Sequence, residues 1–295
     1  MTKKHTVGGQ AIVEGVLMKN SKSLVMAVRK KNNEIKTKKR KIQNKKYPPV
    51  IRGLVNLIDM LKYGFDAIIW SSKEYYEDEE QISKAEIFTT VALSAVFSIV
   101  LFVAAPYYIT ILMRFSELLS PLVFNLVDSL VKIVFFIVFL VIISSMKDIR
   151  RTFEYHGAEH KVVNCYEHGE KLTVKNVKKY STLHPRCGTA FIMIIFLVSI
   201  LVFSFYPLII TAIWPDFILV KSIPRRMVLF TLRIISIPLI AGISYEFLKF
   251  TADKKDERVF ASLILPGLLL QKLTTREPDN RQIEVAVKAL KELIS

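Results

Sequence analysis

Glycine is scarce, at 10 residues in 295, and no glycine-rich phosphate cradle stands among them. Neither a Ser-His-Asp arrangement nor an internal repeat is found, so nucleotide binding, serine hydrolysis and solenoid folds are set aside. Cysteine occurs only twice, which excludes a disulfide framework. Acidic side chains number 26 against 42 lysines and arginines, leaving a formal charge of +16. The basic N-terminus has no adjacent apolar h-region or cleavage site, so no signal peptide is expected.

What the chain has in abundance is apolar residues, 52% of the total. Combined with the charge, this fits a membrane protein with basic loops better than a soluble domain. A bilayer core requires ~20 consecutive apolar residues. Residues 88–113 and 190–211 meet that length without a charge, and 121–145 and 229–248 meet it with Asp128, Lys132, Arg233 and Glu246 inside them. The expected fold is therefore an α-helical polytopic membrane protein of about four transmembrane helices, with a small N-terminal region containing a β-hairpin. Asp128, Lys132 and Arg233, at similar depth, are expected to form a structural ion-paired cluster rather than a transport path. A further apolar run, 260–271, is too short to span and is split by Pro266 and Gly267, which predicts a re-entrant or interfacial segment.

Basic residues set the orientation. Segment 1–87 carries 18, the loop 147–186 carries 9 and the tail from 249 carries 9, whereas the two remaining loops share Arg114, Lys221, Arg225 and Arg226. The positive-inside rule then places both termini and the central loop in the cytoplasm of a multi-pass plasma-membrane protein. Cys165 and Cys187 fall in a reducing compartment, which leaves thiolate chemistry or plain burial for them.

The expected organisation is a cytoplasmic segment over residues 1–87, transmembrane helices one and two over 88–145, a cytoplasmic loop 146–189, helices three and four over 190–248, and a cytoplasmic tail 249–295. In the N-terminal segment, Gln10, Ile12 and Glu14 share one strand face, and a hairpin follows with its turn at Asn32 and Asn33. Ile51, Leu54, Ile58, Leu61, Phe65 and Ile68 then form a helical stripe over 51–69, suited either to a membrane surface, with Trp70 at the headgroups, or to a cytoplasmic core. The acidic run 74–80 reads as a solvated linker. In the tail, Pro278 and Asp279 open a packing helix striped by Ile283, Val287, Leu290 and Ile294, with Glu284 and Lys288 paired.

The chemistry gathers between residues 156 and 187, which hold four of the five histidines and both cysteines. Residues 148–167 read as a helix stopped at Gly169, so that His156, Glu159 and His160 project from one face. H-x-x-E-H is the inverted zinc-hydrolase spelling, in which the histidines hold the metal and the glutamate is the general base towards water. A polar helix face is the plainer alternative. Gly157 inside the helix costs ~1 kcal/mol relative to alanine and signals close approach of another element. His184 and Cys187 are ligand types brought to the start of the third span, though each also suits a purely structural place, and Glu246 is an additional carboxylate candidate. Cys165 is expected to pack and His168 to sit at a helix end. Arg276, in TTREP, is suited to holding a carboxylate of substrate or protein.

GGQAIVEGVLMKN, KDIRRTFEYHGAEHKVVNCYE, HPRCGTAF, ISYEF and PGLLLQKLTTREPDNRQIEVAVKAL together resemble the YqhQ-like family of bacterial membrane proteins, a domain of unknown function labelled as predicted metal-dependent enzymes. The resemblance runs in order over nearly the whole chain. It implies that Gln10, Glu14, His156, Glu159, His160, His184, Arg186, Cys187, Glu246, Arg276 and Glu277 occupy signature positions. The second span departs from the pattern, reading VDSLVKIVFFIVFL where the family more often has a glycine and an arginine.

The expectation is a membrane enzyme with a divalent metal, zinc above others, at its cytoplasmic face. His156 and His160 bind it, His184, Cys187 or Glu246 completes the set, and Glu159 activates water against a peptide, acyl or amide bond. Gln10, Glu14, Arg186, Arg276 and Glu277 bind substrate or support the site. Membrane lipid is the expected partner, with a protein partner or oligomer also open. The alternative is a metal-stapled scaffold whose basic KTKKRK segment, with Lys45 and Lys46, binds RNA, a protein or anionic lipid, although positive-inside bias alone accounts for that patch. A transporter ranks last, because two spans carry no charge.

Overall fold

A computed structural model describes residues 7–43, 47–76, 83–253 and 258–295. Lys45, Lys46 and the second half of the acidic run lie outside the described residues. The chain is mostly helical, with an N-terminal four-stranded antiparallel sheet.

The strands β1 (Gly8–Ile12), β2 (Gly15–Lys19), β3 (Ser23–Arg29) and β4 (Ile35–Lys41) form a meander in sequence order. The expected hairpin is β3–β4, closed from Arg29 to Ile35 with Asn33 at φ 68°. A second hairpin, β1–β2, was not legible. Its register sets Ile12 opposite Gly15 and leaves Val13 and Glu14 as a two-residue turn, with Glu14 at φ 48°. Glu14 therefore does not share the strand face of Gln10 and Ile12. A tight turn needs a positive φ, and that rotates its side chain away.

Strand alternation gives the sheet two apolar faces. Val16, Met18, Val25 and Ala27 pack against two helices, α5 (Lys147–Glu167) and α10 (Asn280–Ile294), through Tyr155, Ala158, Val162, Ile283, Ala286 and Leu290. Ile12, Leu17, Leu24 and Met26 pack against α1 (Ile51–Tyr76) at Ala67. Basic β4 is an edge strand, its lysines and arginine outward, which blunts further strand pairing. α10 closes this module as expected, opened by a capping box between Asp279 and Gln282. Glu284 and Lys288 do not pair with each other. Glu284 meets Arg29 at 2.7 Å and Lys288 donates to the Ile35 carbonyl at 2.7 Å, because both lie over the sheet edge, while Ile294 is exposed.

Among the described residues, four helical stretches are long and apolar enough to cross a membrane. The first joins α2 (Lys84–Ile99) and α3 (Ala105–Leu112) through a π-helical turn at Val100–Ala104. The others are α4 (Pro121–Ser144), α7 (Gly188–Ile213) and α8 (Ser222–Asp253). A short helix α6 (Val174–Val177) lies between α5 and α7. The run expected to break at Pro266 and Gly267 is instead one helix, α9 (Arg258–Thr274). Gly267 is retained for contact: a Cβ there would lie 2.5 Å from Ala190 Cα of α7.

At the end of the bundle far from the sheet, Arg233 is fully buried and donates to Asp128 at 3.0 Å, Glu117 at 2.7 Å and Asn125 at 2.6 Å. Lys132 meets Asp128 at 2.6 Å and Tyr107 donates to Glu117 at 3.0 Å. Two cations and two carboxylates thus balance, which is how charge survives in an apolar bundle.

Candidate metal centre

α5 carries the site because its sequence holds two kinds of face. Tyr155, Ala158, Val162 and Cys165 enter the module core, as expected of Cys165, while His156, Glu159 and His160 turn towards the junction with the bundle. His168 caps the helix end, its Nδ1 2.8 Å from the Asn164 carbonyl, and Gly169 follows at φ 81°. Gly157 permits the third layer of the junction: any Cβ there would strike the Arg276 carbonyl in the segment between α9 and α10. That segment is pinned by the Arg276 N–H, which donates to the Phe153 carbonyl at 3.0 Å.

Two backbone carbonyls set the histidine tautomers. His156 Nδ1 lies 2.9 Å from the Thr274 carbonyl and His160 Nδ1 lies 2.5 Å from that of Thr182. A carbonyl can only accept, so both rings carry their proton on Nδ1 and present the Nε2 lone pair. Cys187 comes to the same place as the N-cap residue of α7, with Sγ 3.3 Å from His156 Nε2. One ligand atom each from His156, His160 and Cys187 lies within 4.8 Å of the other two. Tetrahedral zinc with bonds of ~2.0–2.3 Å needs donors roughly 3.3–3.8 Å apart, so the His156–Cys187 spacing already suits it. Carbonyl clasps on Nδ1 are also the usual outer support of metal-binding histidines.

Glu159 lies beside this group, Oε2 3.6 Å from His160 Nε2, and is 5% exposed. Gly9 of β1 lets it fit, since a Cβ there would come 3.0 Å from Glu159 Cγ. Burial pushes the Glu159 carboxyl above the usual range, against the pull of His156 and His184. Burial also holds His160 below the ordinary histidine range, which favours the neutral ring that ligation requires.

Of the remaining expected ligands, His184 borders the group, its ring centroid 5.8 Å from that of His160, and Glu246 lies elsewhere. The Arg186 N–H donates to His184 Nδ1 at 3.3 Å, which puts the His184 proton on Nε2, 3.5 Å from Glu167. Arg186 itself pairs with Glu167. Glu246 on α8 is held by Arg52 of α1 at 2.5 and 3.1 Å, and joins those helices instead of entering the cluster. Glu14 is bound by Arg151, with Nη2 at 2.6 Å, and by Tyr155, so it ties the β1–β2 turn to α5. The Gln10 amide lies over Gly64 of α1. Glu277 pairs with Lys161 at 2.6 Å, and Arg276 reaches the Ser144 carbonyl at the end of α4 at 3.4 Å.

The family model described as "Protein of unknown function (DUF1385)" matches residues 48–295. The chain belongs to this family. It is 33% identical over 314 residues to the Uncharacterized protein YqhQ of Bacillus subtilis (strain 168), a match covering 99% of this chain and 94% of the relative. No solved structure matches the chain. As a member of an uncharacterised family, it takes no activity from the comparison, and the functional argument rests on the site.

Sequence reasoning missed the elements with no side-chain signature: the Thr182 and Thr274 carbonyls, and Gln271. Fully buried, Gln271 accepts from the His184 N–H and donates to the His184 carbonyl, both at 2.8 Å, and so locks α9 to the segment before α7. Gly157 was the one legible sign that another element closes over the helix.

Proposed function

We propose that this protein is a multi-pass plasma-membrane metalloenzyme whose site lies where the cytoplasmic module meets the bundle, with both termini cytoplasmic. The observation that carries the reading is the convergence of two Nε2 lone pairs and a thiol, each histidine clasped through Nδ1. His156, His160 and Cys187 hold a divalent ion, zinc by preference for two nitrogens and a sulfur. A bound ion supplies Lewis-acid polarisation of a substrate carbonyl. Glu159, buried and with a raised affinity for protons, takes a proton from the attacking water and passes it to the leaving group. The reaction class is hydrolysis of a peptide or other amide bond. Membrane placement is supported by the four apolar helices and by the basic residues concentrated on the sheet side.

Metal content is the test, measured by mass spectrometry on detergent-purified protein made without a metal-affinity tag. Near-stoichiometric metal is expected in the native chain and little in His156→Ala/His160→Ala. A metal-free native protein removes the reading.

A second reading follows from the same 3.3 Å contact between Cys187 Sγ and His156 Nε2. Cys187, with the His156 Nε2 lone pair beside it to take its proton, is placed as one half of a nucleophile–base pair. Rapid alkylation of Cys187 in metal-free protein, slowed by His156→Ala, would favour it.

A further inference from the structure

α1 is an amphipathic helix packed the wrong way round. Its buried residues are small, Gly53, Gly64, Ala67 and Ser71. Ile51, Ile58, Leu61, Phe65 and Ile68 are 43–55% exposed and line one face, roughly a third of a turn away from the small residues. Such a stripe normally faces a core. Here the core side is taken by contacts that exclude large side chains: a Cβ on Gly53 would lie 2.7 Å from the Gly242 carbonyl of α8, and one on Gly64 would lie 2.5 Å from the Gln10 amide.

The ends of α1 fix what the stripe meets. Its first turns are bolted to α8 by Arg52–Glu246, by Asn56 Nδ2 donating to Tyr245 Oη at 2.9 Å, and by the Gly53–Gly242 approach. Gly242, Tyr245 and Glu246 lie in the last two turns of the apolar stretch 229–248 of α8. The α1–α8 contact thus falls near the inner end of the apolar layer. At the other end, Tyr76 is only eight residues from Lys84, where the first apolar helix begins, a reach of at most about 28 Å. A helix about 39 Å long is therefore tied at both ends to helices that cross the membrane. Lys62 and Asp66 border the stripe on the side where a headgroup layer would meet it.

We infer that α1 lies in the cytoplasmic lipid–water interface with Ile58, Leu61, Phe65 and Ile68 among the acyl chains, so that the sheet and the candidate metal centre are held flat against the inner leaflet. The inference rests on the membrane-spanning reading above and independently commits the stripe to lipid.

Brominated lipid quenches tryptophan only when the ring reaches the acyl region. In a Trp70→Phe/Trp214→Phe background, single reporters are placed by Phe65→Trp, by Leu61→Trp, and by Leu201→Trp on the exposed flank of α7. Each protein is reconstituted in vesicles of ordinary and of brominated phosphatidylcholine with phosphatidylglycerol. The expected result is strong quenching at 61, 65 and 201. Quenching at 201 with none at 61 or 65 overturns the inference. If cross-linking then joins two copies through α1, a second copy covers the stripe instead. No quenching at 201 shows that the spanning reading itself has failed. Either α1 reporter suffices should the other not fold.

Discussion

Two polar assemblies sit at opposite ends of the same helical bundle, and they differ in what they leave unmet. Around Arg233, the guanidinium is shared among Glu117, Asp128 and Asn125 and packed by the Tyr107, Phe124 and Phe203 rings, while Tyr107 takes Glu117 Oε2, Lys132 shares Asp128 Oδ2 with Arg233, and Asp128 Oδ1 is left unmet. Charge and hydrogen bonding nearly close on themselves there. Around His156, His160 and Cys187, each ring is bonded to backbone on its outer nitrogen, the Thr189 hydroxyl donates to Cys187 Sγ at 3.3 Å, and the two Nε2 lone pairs face that sulfur with one thiol proton between them. The first cluster pairs cation with carboxylate, whereas the second gathers lone pairs with too few protons to satisfy them.

Arg233→Met would test the closed end most severely. It leaves two buried carboxylates with one cation, and a loss of ~3–5 kcal/mol is expected, read as a large fall in Tm in detergent. Next, Gly157→Ala sets a methyl group against the Arg276 backbone carbonyl, which cannot swing aside. Overpacking of ~1–3 kcal/mol outweighs the helix propensity gained, so Tm should drop and metal content fall with it as the Thr274 clasp shifts. His156→Ala should show the open end's character. It forfeits two hydrogen bonds, to the Thr274 carbonyl and with Cys187 Sγ, about 1 kcal/mol each, yet should abolish stoichiometric metal. A stability loss as large as that of Arg233→Met would mean that the histidines form a second closed cluster, and the comparison would break.

The smallest effect is on pH dependence in metal-free protein. His160 titrates in the native state below its ordinary 6.5, so the stability it contributes is complete above pH 6.5 and is lost as pH falls through the native value. Glu159, raised above its ordinary 4.5, has the opposite slope, its native carboxyl taking up protons first as pH falls. Glu159→Gln should therefore make acid destabilisation steeper, which a series of thermal melts across roughly pH 4–7 would show.

Long periodic features were readable in advance: the four apolar helices, α5 with its stop at Gly169, the β3–β4 turn at Asn33, and the cap of α10. Their signals are local, resting on spacing within one element. Glu246 was misread because its partner, Arg52, lies 194 positions away and nothing in either neighbourhood announces the pairing. The tautomer of His184 was not legible because it is set by the Arg186 backbone, and a carbonyl or amide has no letter in the sequence. The stripe of α1 was visible, but its direction was decided by the glycines roughly a third of a turn away from it.

One consequence concerns the order of synthesis. The histidines of α5 emerge from the ribosome roughly a hundred residues before Thr274, whose carbonyl clasps His156, and before Gln271, which fastens the segment ahead of Cys187. A growing chain thus holds His156 without its clasp while two further apolar helices are made, and the cluster can close only near the end of synthesis, although the Thr182 clasp on His160 is available much earlier. A chain cut before residue 271 would keep all three ligand-type side chains and the Thr182 carbonyl, and lack Gln271 and the Thr274 carbonyl.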